Sequence, residues 1–279
     1  FLLTPLPPTS PRHSTRRQRQ MCIRDRRGIA FDGEDIYIAA SDELFCYDRD
    51  FNLQHSHRNP YLKHCHEICR MGRRIFLTST GFDSLLAYDL EEQAFTWGFH
   101  LLRPQGEWSG FAFDPCRRAG HAAVNDHHLN MVHINQNGIF LSGLRTGALL
   151  HISRDNQVSE VCTLPQGVHN ARPFNDGVLF NDTASDCVRF VGRDAHQSAF
   201  PIRTYEEADI INAGIDDSKI ARQGFGRGLC VYRDRIVVGG SSPSTISLYD
   251  LETDTTIGSM NLTMDIRNAI HGLEVWPYD

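Results

Sequence analysis

No window of the 279-residue chain reaches 18 uncharged apolar residues, so the sequence offers no membrane span. Positive charge is also scarce. Lys and Arg number 28 against 34 Asp and Glu, and the net −6 gives nucleic acid no electrostatic footprint. The eight cysteines show no paired spacing, which argues against a disulfide framework and suits a reducing, cytoplasmic setting. No GxSxG and no P-loop occurs, and Gly224-Phe225-Gly226-Arg227-Gly228 has the wrong spacing for a dinucleotide fingerprint. Helical i, i+3, i+4 periodicity is nearly absent. What remains is 41% hydrophobic with 22 Gly, an ordinary globular composition long enough for a sizeable core.

Residues 1–26 stand apart. They are Pro-, Ser- and Arg-rich and carry six Arg against one acid, which leaves the other 253 residues at net −11. Three readings are open: an Arg/Ser-rich transit peptide, a basic arm, or translated sequencing-adapter sequence ending in Arg19-Gln20-Met21-Cys22-Ile23-Arg24-Asp25-Arg26. The third is adopted for fold reasoning, so residues 1–26 are expected to be non-native or disordered and the chain a fragment that lacks its natural start. Residues 27–279 are expected to form a single domain.

That remainder repeats itself. Gly28-Ile29-Ala30-Phe31, a turn at Asp32-Gly33-Glu34, a β-branched run and a third strand ending in Tyr47-Asp48 make one unit. The same order recurs from His66 to Tyr88-Asp89, from His128, from His169 and from Gly228 to Tyr249-Asp250. Such units read as hairpins. Four-stranded antiparallel units with a period near 40 residues predict an all-β fold, a β-propeller. First strands near 28, 66, 128, 169, 228 and 272 predict six blades, the last holding one strand because the chain is truncated at its N-terminus. Long loops fall at about 100–127 and 204–226.

The positions entering these strands read Arg27, His66, His128, His169, Arg227 and His271, with Glu67, Asn130, Asn170 and Glu274 close behind and Asp182 in a loop between second and third strands. First strands line a propeller's channel, so these side chains should ring its mouth. Four histidines at one phase suggest a metal centre at His66, His128, His169 and His271 holding Fe, Mn or Zn. His128 or His169 would be the base. Arg27 and Arg227, with Glu67, Asn130, Asn170, Asp182 and Glu274, would bind a small anionic organic substrate. The two guanidinium groups would also repel a metal. A polar pocket without metal, or histidines that merely bond their own turns, are the competing readings. His64-Cys65-His66-x-x-Cys69 looks like a zinc run, but strand alternation sends Cys65 and His66 to opposite faces.

Residues 28–48, 66–89, 128–134, 169–182 and 271–277 resemble uncharacterised bacterial six-bladed propeller proteins. More distantly the pattern is similar to the superfamily of strictosidine synthase, gluconolactonase and paraoxonase. The lactonase-like members bind calcium in the channel through Glu, Asn and Asp. Here histidine takes most of those positions, leaving Glu67, Asn130, Asn170, Asp182 and Glu274 as oxygen donors, so calcium fits less well than Fe, Mn or Zn. The resemblance implies a metal-dependent hydrolase or lactonase, or less readily an iron-dependent oxygenase. The alternative is a ligand-binding module without turnover. The expected partner is a small molecule, with no nucleic acid and no membrane.

Overall fold

The computed structural model describes residues 26–117, 120–213 and 222–278. Residues 1–25, on which the adapter reading falls, lie outside the described residues. Tight turns fold the chain into antiparallel sheets, and glycine serves where left-handed backbone is needed, at Gly33 (φ 56°) and Gly72 (φ 59°). The first sheet holds β1 (Arg26–Asp32), β2 (Asp35–Ala40), β3 (Glu43–Tyr47) and β4 (Leu53–Arg58). The second holds β5 (Ile68–Met71), β6 (Arg74–Ser79), β7 (Ser84–Asp89), β8 (Ala94–Leu102) and β9 (Ser109–Phe113). The third runs through β10 (Leu129–Asn135), β11 (Gly138–Gly143), β12 (Ala148–Ile152) and β13 (Val158–Thr163). The fourth comprises β14 (His169–Phe174), β15 (Gly177–Asp182), β16 (Cys187–Gly192) and β17 (Gln197–Pro201). The fifth comprises β18 (Phe225–Tyr232), β19 (Ile236–Ser242), β20 (Thr245–Asp250) and β21 (Thr255–Asn261).

Successive first strands are neighbours, β1 with β5, β5 with β10, β10 with β14 and β14 with β18. Apolar side chains fill the gaps between sheets. Tyr37, Leu44, Ile75 and Tyr88 lie between the first and second, Phe99, Leu129 and Leu150 between the second and third. Phe140, Leu149 and Phe180 separate the third and fourth, while Phe200, Leu229 and Tyr249 separate the fourth and fifth. This is a β-propeller of five blades. The expected six is corrected, along with the incomplete last blade: residues 271–278 form no strand. A strand exists only with a ladder partner, and the apolar run Gly272-Leu273-Glu274-Val275 finds none among the described residues. Its side chains still pack. Leu273, Ile270 and Val275 join Cys230, Val238 and Ile246 of the fifth blade. Trp276 and Tyr278 meet Phe31 of the first blade edge-on at 6.0 and 5.7 Å. The segment therefore wedges between the fifth and first blades.

The Tyr-Asp ending of the third strand proves to be turn chemistry. Asp48 accepts the amides of Asp50 and Asn52, Asp89 those of Glu91 and Glu92, and Asp250 those of Glu252 and Thr253. No described helix is long and apolar enough to cross a membrane.

Candidate functional site

The residues entering each first strand gather at one end of the ring, joined there by the turns between second and third strands. His66 precedes β5. Its Nδ1 lies 2.7 Å from the His64 carbonyl and 2.8 Å from Thr80 Oγ1. A carbonyl can only accept, so Nδ1 carries the proton and Nε2 is the basic nitrogen of the neutral ring. Thr80 in turn donates to the Leu129 carbonyl of the next blade. The His128 ring stands edge-on to His66 at 5.0 Å. His128 itself has φ 54°, a left-handed backbone held by Asp83. This buried carboxylate accepts the amides of Asp126 (2.5 Å), His127 (3.0 Å) and His128 (3.1 Å).

Arg227 is buried on β18, its Nη1 2.6 Å from His271 Nε2. Guanidinium only donates, so Nε2 of His271 accepts and the ring is neutral, with Nδ1–H directed to the Ala269 carbonyl at 3.3 Å. Arg227 also lies 4.2 Å over the Phe225 ring, against which His169 packs edge-on at 5.4 Å. The expected four-histidine ligand set does not form. Among the described residues no group of three or more His, Cys, Asp or Glu is placed to hold a metal. The histidines divide instead into the His66–His128 pair, His271 engaged by Arg227, and His169 on Phe225. Arg27 falls on β1, its side chain outside the described residues.

Below the mouth the expected binding residues turn to one another. Glu67 Oε2 accepts from Asn170 Nδ2 at 3.2 Å, a bond from the second blade to the fourth. Asn170 Oδ1 accepts from Asn181 at 3.0 Å, and Asn181 donates to the Gly228 carbonyl of the fifth blade at 3.4 Å. Asn130 donates to the Val168 carbonyl at 2.8 Å. Burial pushes the Glu67 carboxyl up to about 8; Glu274 adds to this, while the Ile68 amide, Arg172 and Asn170 oppose it. Burial likewise raises Glu274 and holds His133 down at about 4. An acid raised in the fold binds its proton more tightly there than in the unfolded chain, so the Glu67 contribution to stability falls as pH rises from about 4.5 to about 8, while lowered histidines such as His133 act in the opposite sense below about pH 6.5. Glu67→Gln is expected to flatten that slope and to melt above the wild type at pH 8, with equal melting at pH 4. A Tm difference between Glu67→Gln and wild type that does not change across this window would refute the assignment.

Asp182 is placed elsewhere. It pairs with Arg189 at 3.2 Å and lines a groove of about 940 Å³ between the third and fourth blades. Cys65 of the zinc-like run is fully buried among apolar side chains, away from His66. Phe225 at the mouth, and Arg172 below it beside Glu67 and Glu274, were missed. Alternation along a first strand should identify inward positions, but register shifts at 169–172 and 226–228 break it. The second long loop reaches this end: Arg222 pairs with Asp186 at 2.6 Å, and Tyr205 bonds Thr245 at 3.1 Å.

No protein-family model matches the chain, and no curated protein is detectably similar to it in sequence. Solved structures are similar in fold. Virginiamycin B lyase from Staphylococcus aureus has a TM-score of 0.53 at 11% identity, over 88% of this chain and 73% of that one. The RRP9 WD40 repeats give 0.55 at 11%, over 88% and 65%, and the computationally designed Ika8 protein 0.51 at 10%, over 90% of each. At these identities the likeness carries the β-propeller fold alone.

Proposed function

We propose that the channel mouth is a metal-free site for a small anionic organic molecule, with Arg227 as its anchor and His66 Nε2 as a base. The observation that carries this reading is the contact between Arg227 and a neutral His271. There a guanidinium bonded to a neutral ring lies over the apolar face of Phe225, and a planar cationic fork suits a carboxylate. His271 Nε2, already accepting from Arg227, has no lone pair left for a metal. His66 has its tautomer fixed by the His64 carbonyl, which suits it to take a proton from a bound molecule. A lyase or hydrolase acting on an ester both need such a base.

The test is equilibrium binding of benzoate and gluconate, with their neutral amides as controls. Arg227→Ala is expected to weaken carboxylate binding about 10- to 50-fold, in line with the loss of a charge-assisted bond. Arg227→Lys should recover part of it. Equal binding of acid and amide would end the anion reading. Dialysis against EDTA should leave binding unchanged; its loss on chelation would end the metal-free one.

A further inference from the structure

A second histidine cluster lies beside the mouth, on the outer part of the second blade. His121 belongs to the segment that leads into His128. Its ring stacks on His100 with centroids 3.9 Å apart, and Tyr61, Phe82, Phe111 and Phe113 complete a box around it at 4.7 to 6.1 Å. The chain comes so close that a Cβ on Gly120 would overlap the Tyr61 ring.

The protons in this box can be assigned. Ser84 Oγ lies 2.8 Å from the Phe82 carbonyl and donates to it, and His100 Nδ1–H, 3.0 Å from the same carbonyl and 3.1 Å from Ser84 Oγ, is shared between the two oxygens. The single Ser84 proton is thereby used, and Ser84 Oγ must accept from His121 Nε2 at 3.0 Å. His121 therefore carries its proton on Nε2. Its Nδ1 is buried and has no hydrogen-bond partner among the described residues. A second proton can go only there. It would create a buried N–H without an acceptor and a cation stacked on another imidazole.

We propose that His121 is an acid-released latch: protonation at Nδ1 expels its ring from the box and frees residues 120–128, and with them His128, from the mouth. Its effect on ligand access rests on the mouth reading above; the latch itself does not. Burial first and His100 second hold His121 down at about 4, and burial also lowers His100. The other ionisable groups around the segment are Asp83 from the turn before β7, Arg103 after β8, Arg145 from the turn after β11, and its own Asp126 and His127. Asp83 bonds the same segment and is raised by burial, so it holds its proton more tightly in the closed state and its contribution runs against the release.

Hydrogen exchange on the full chain, corrected for intrinsic rates, separates these contributions. For a group lowered in the fold, the held state loses about tenfold in population per pH unit between the unfolded and folded values. Protection at residues 121–124 should fall accordingly from pH 6.5 to 4.5 while the sheets stay protected. His121→Phe keeps the stack and cannot take the proton, so its protection should stay nearly level over that range. Any fall left in it belongs to His100 and His127, both lowered by burial, and the double variant His100→Phe/His127→Phe should remove it. Equal slopes in wild type and His121→Phe would overturn the latch, as would protection that holds until the sheets exchange. Benzoate binding at pH 7 reports separately on the mouth and should be unchanged in His121→Phe.

Discussion

Asp83→Ala is expected to cost about 3–6 kcal/mol, since hydrogen bonds to a charged acceptor are worth about 1.5–3 kcal/mol each and three amides would lose theirs. Those of residues 126, 127 and 128 all point at this one carboxylate, which is 1% exposed. Water cannot readily replace it there. Part of the loss is offset because burying the carboxylate is itself unfavourable, as its raised pKa records. Asp83→Asn, with one acceptor oxygen in place of two, should fall between the wild type and alanine. The measurement is the guanidinium midpoint with its slope. A loss below about 1 kcal/mol would mean that the turn, rather than the side chain, holds the segment.

Trp276→Ala should be nearly as costly, about 3 kcal/mol for a large aromatic truncated at a packed junction. That corresponds to a Tm lower by about 6–12 °C in a chain of this size. Trp276 stacks on Phe51 at 6.1 Å and meets Tyr278 at 4.9 Å, while Tyr278 donates to the Gly33 carbonyl at 2.7 Å. These contacts join the last segment to the first blade without a single ladder hydrogen bond. A change in Tm under 2 °C would show that the ring does not depend on this wedge.

The blade repeat was legible because its signals are local. Asp, Asn and Gly at the turns, β-branched second strands and the Asp that ends the third strand act within a few residues of one another. The blade count was not, because Leu273 and Val275 alternate like a first strand whether or not a partner lies beside them. Strand β9 escaped for a related reason. It sits in a Gly- and Pro-containing stretch, and its pairing to β8 depends on Gly98, where any Cβ would collide with Phe113. At the mouth, repeat phase singled out His66, His128, His169 and Arg227 at the entries of four first strands, whereas His271 had been placed by a sixth strand that does not form. Side-chain direction was beyond its reach, since bulges and the left-handed backbone at His128 and Asn170 turn successive residues away from simple alternation.

The chain of bonds from Glu67 through Asn170 and Asn181 to Gly228 has a kinetic meaning. It ties the fourth blade to the second on one side and to the fifth on the other, so the fourth blade cannot swing out of the ring until bonds on both sides break. Contacts of this kind that form after the folding transition state slow unfolding more than they speed folding.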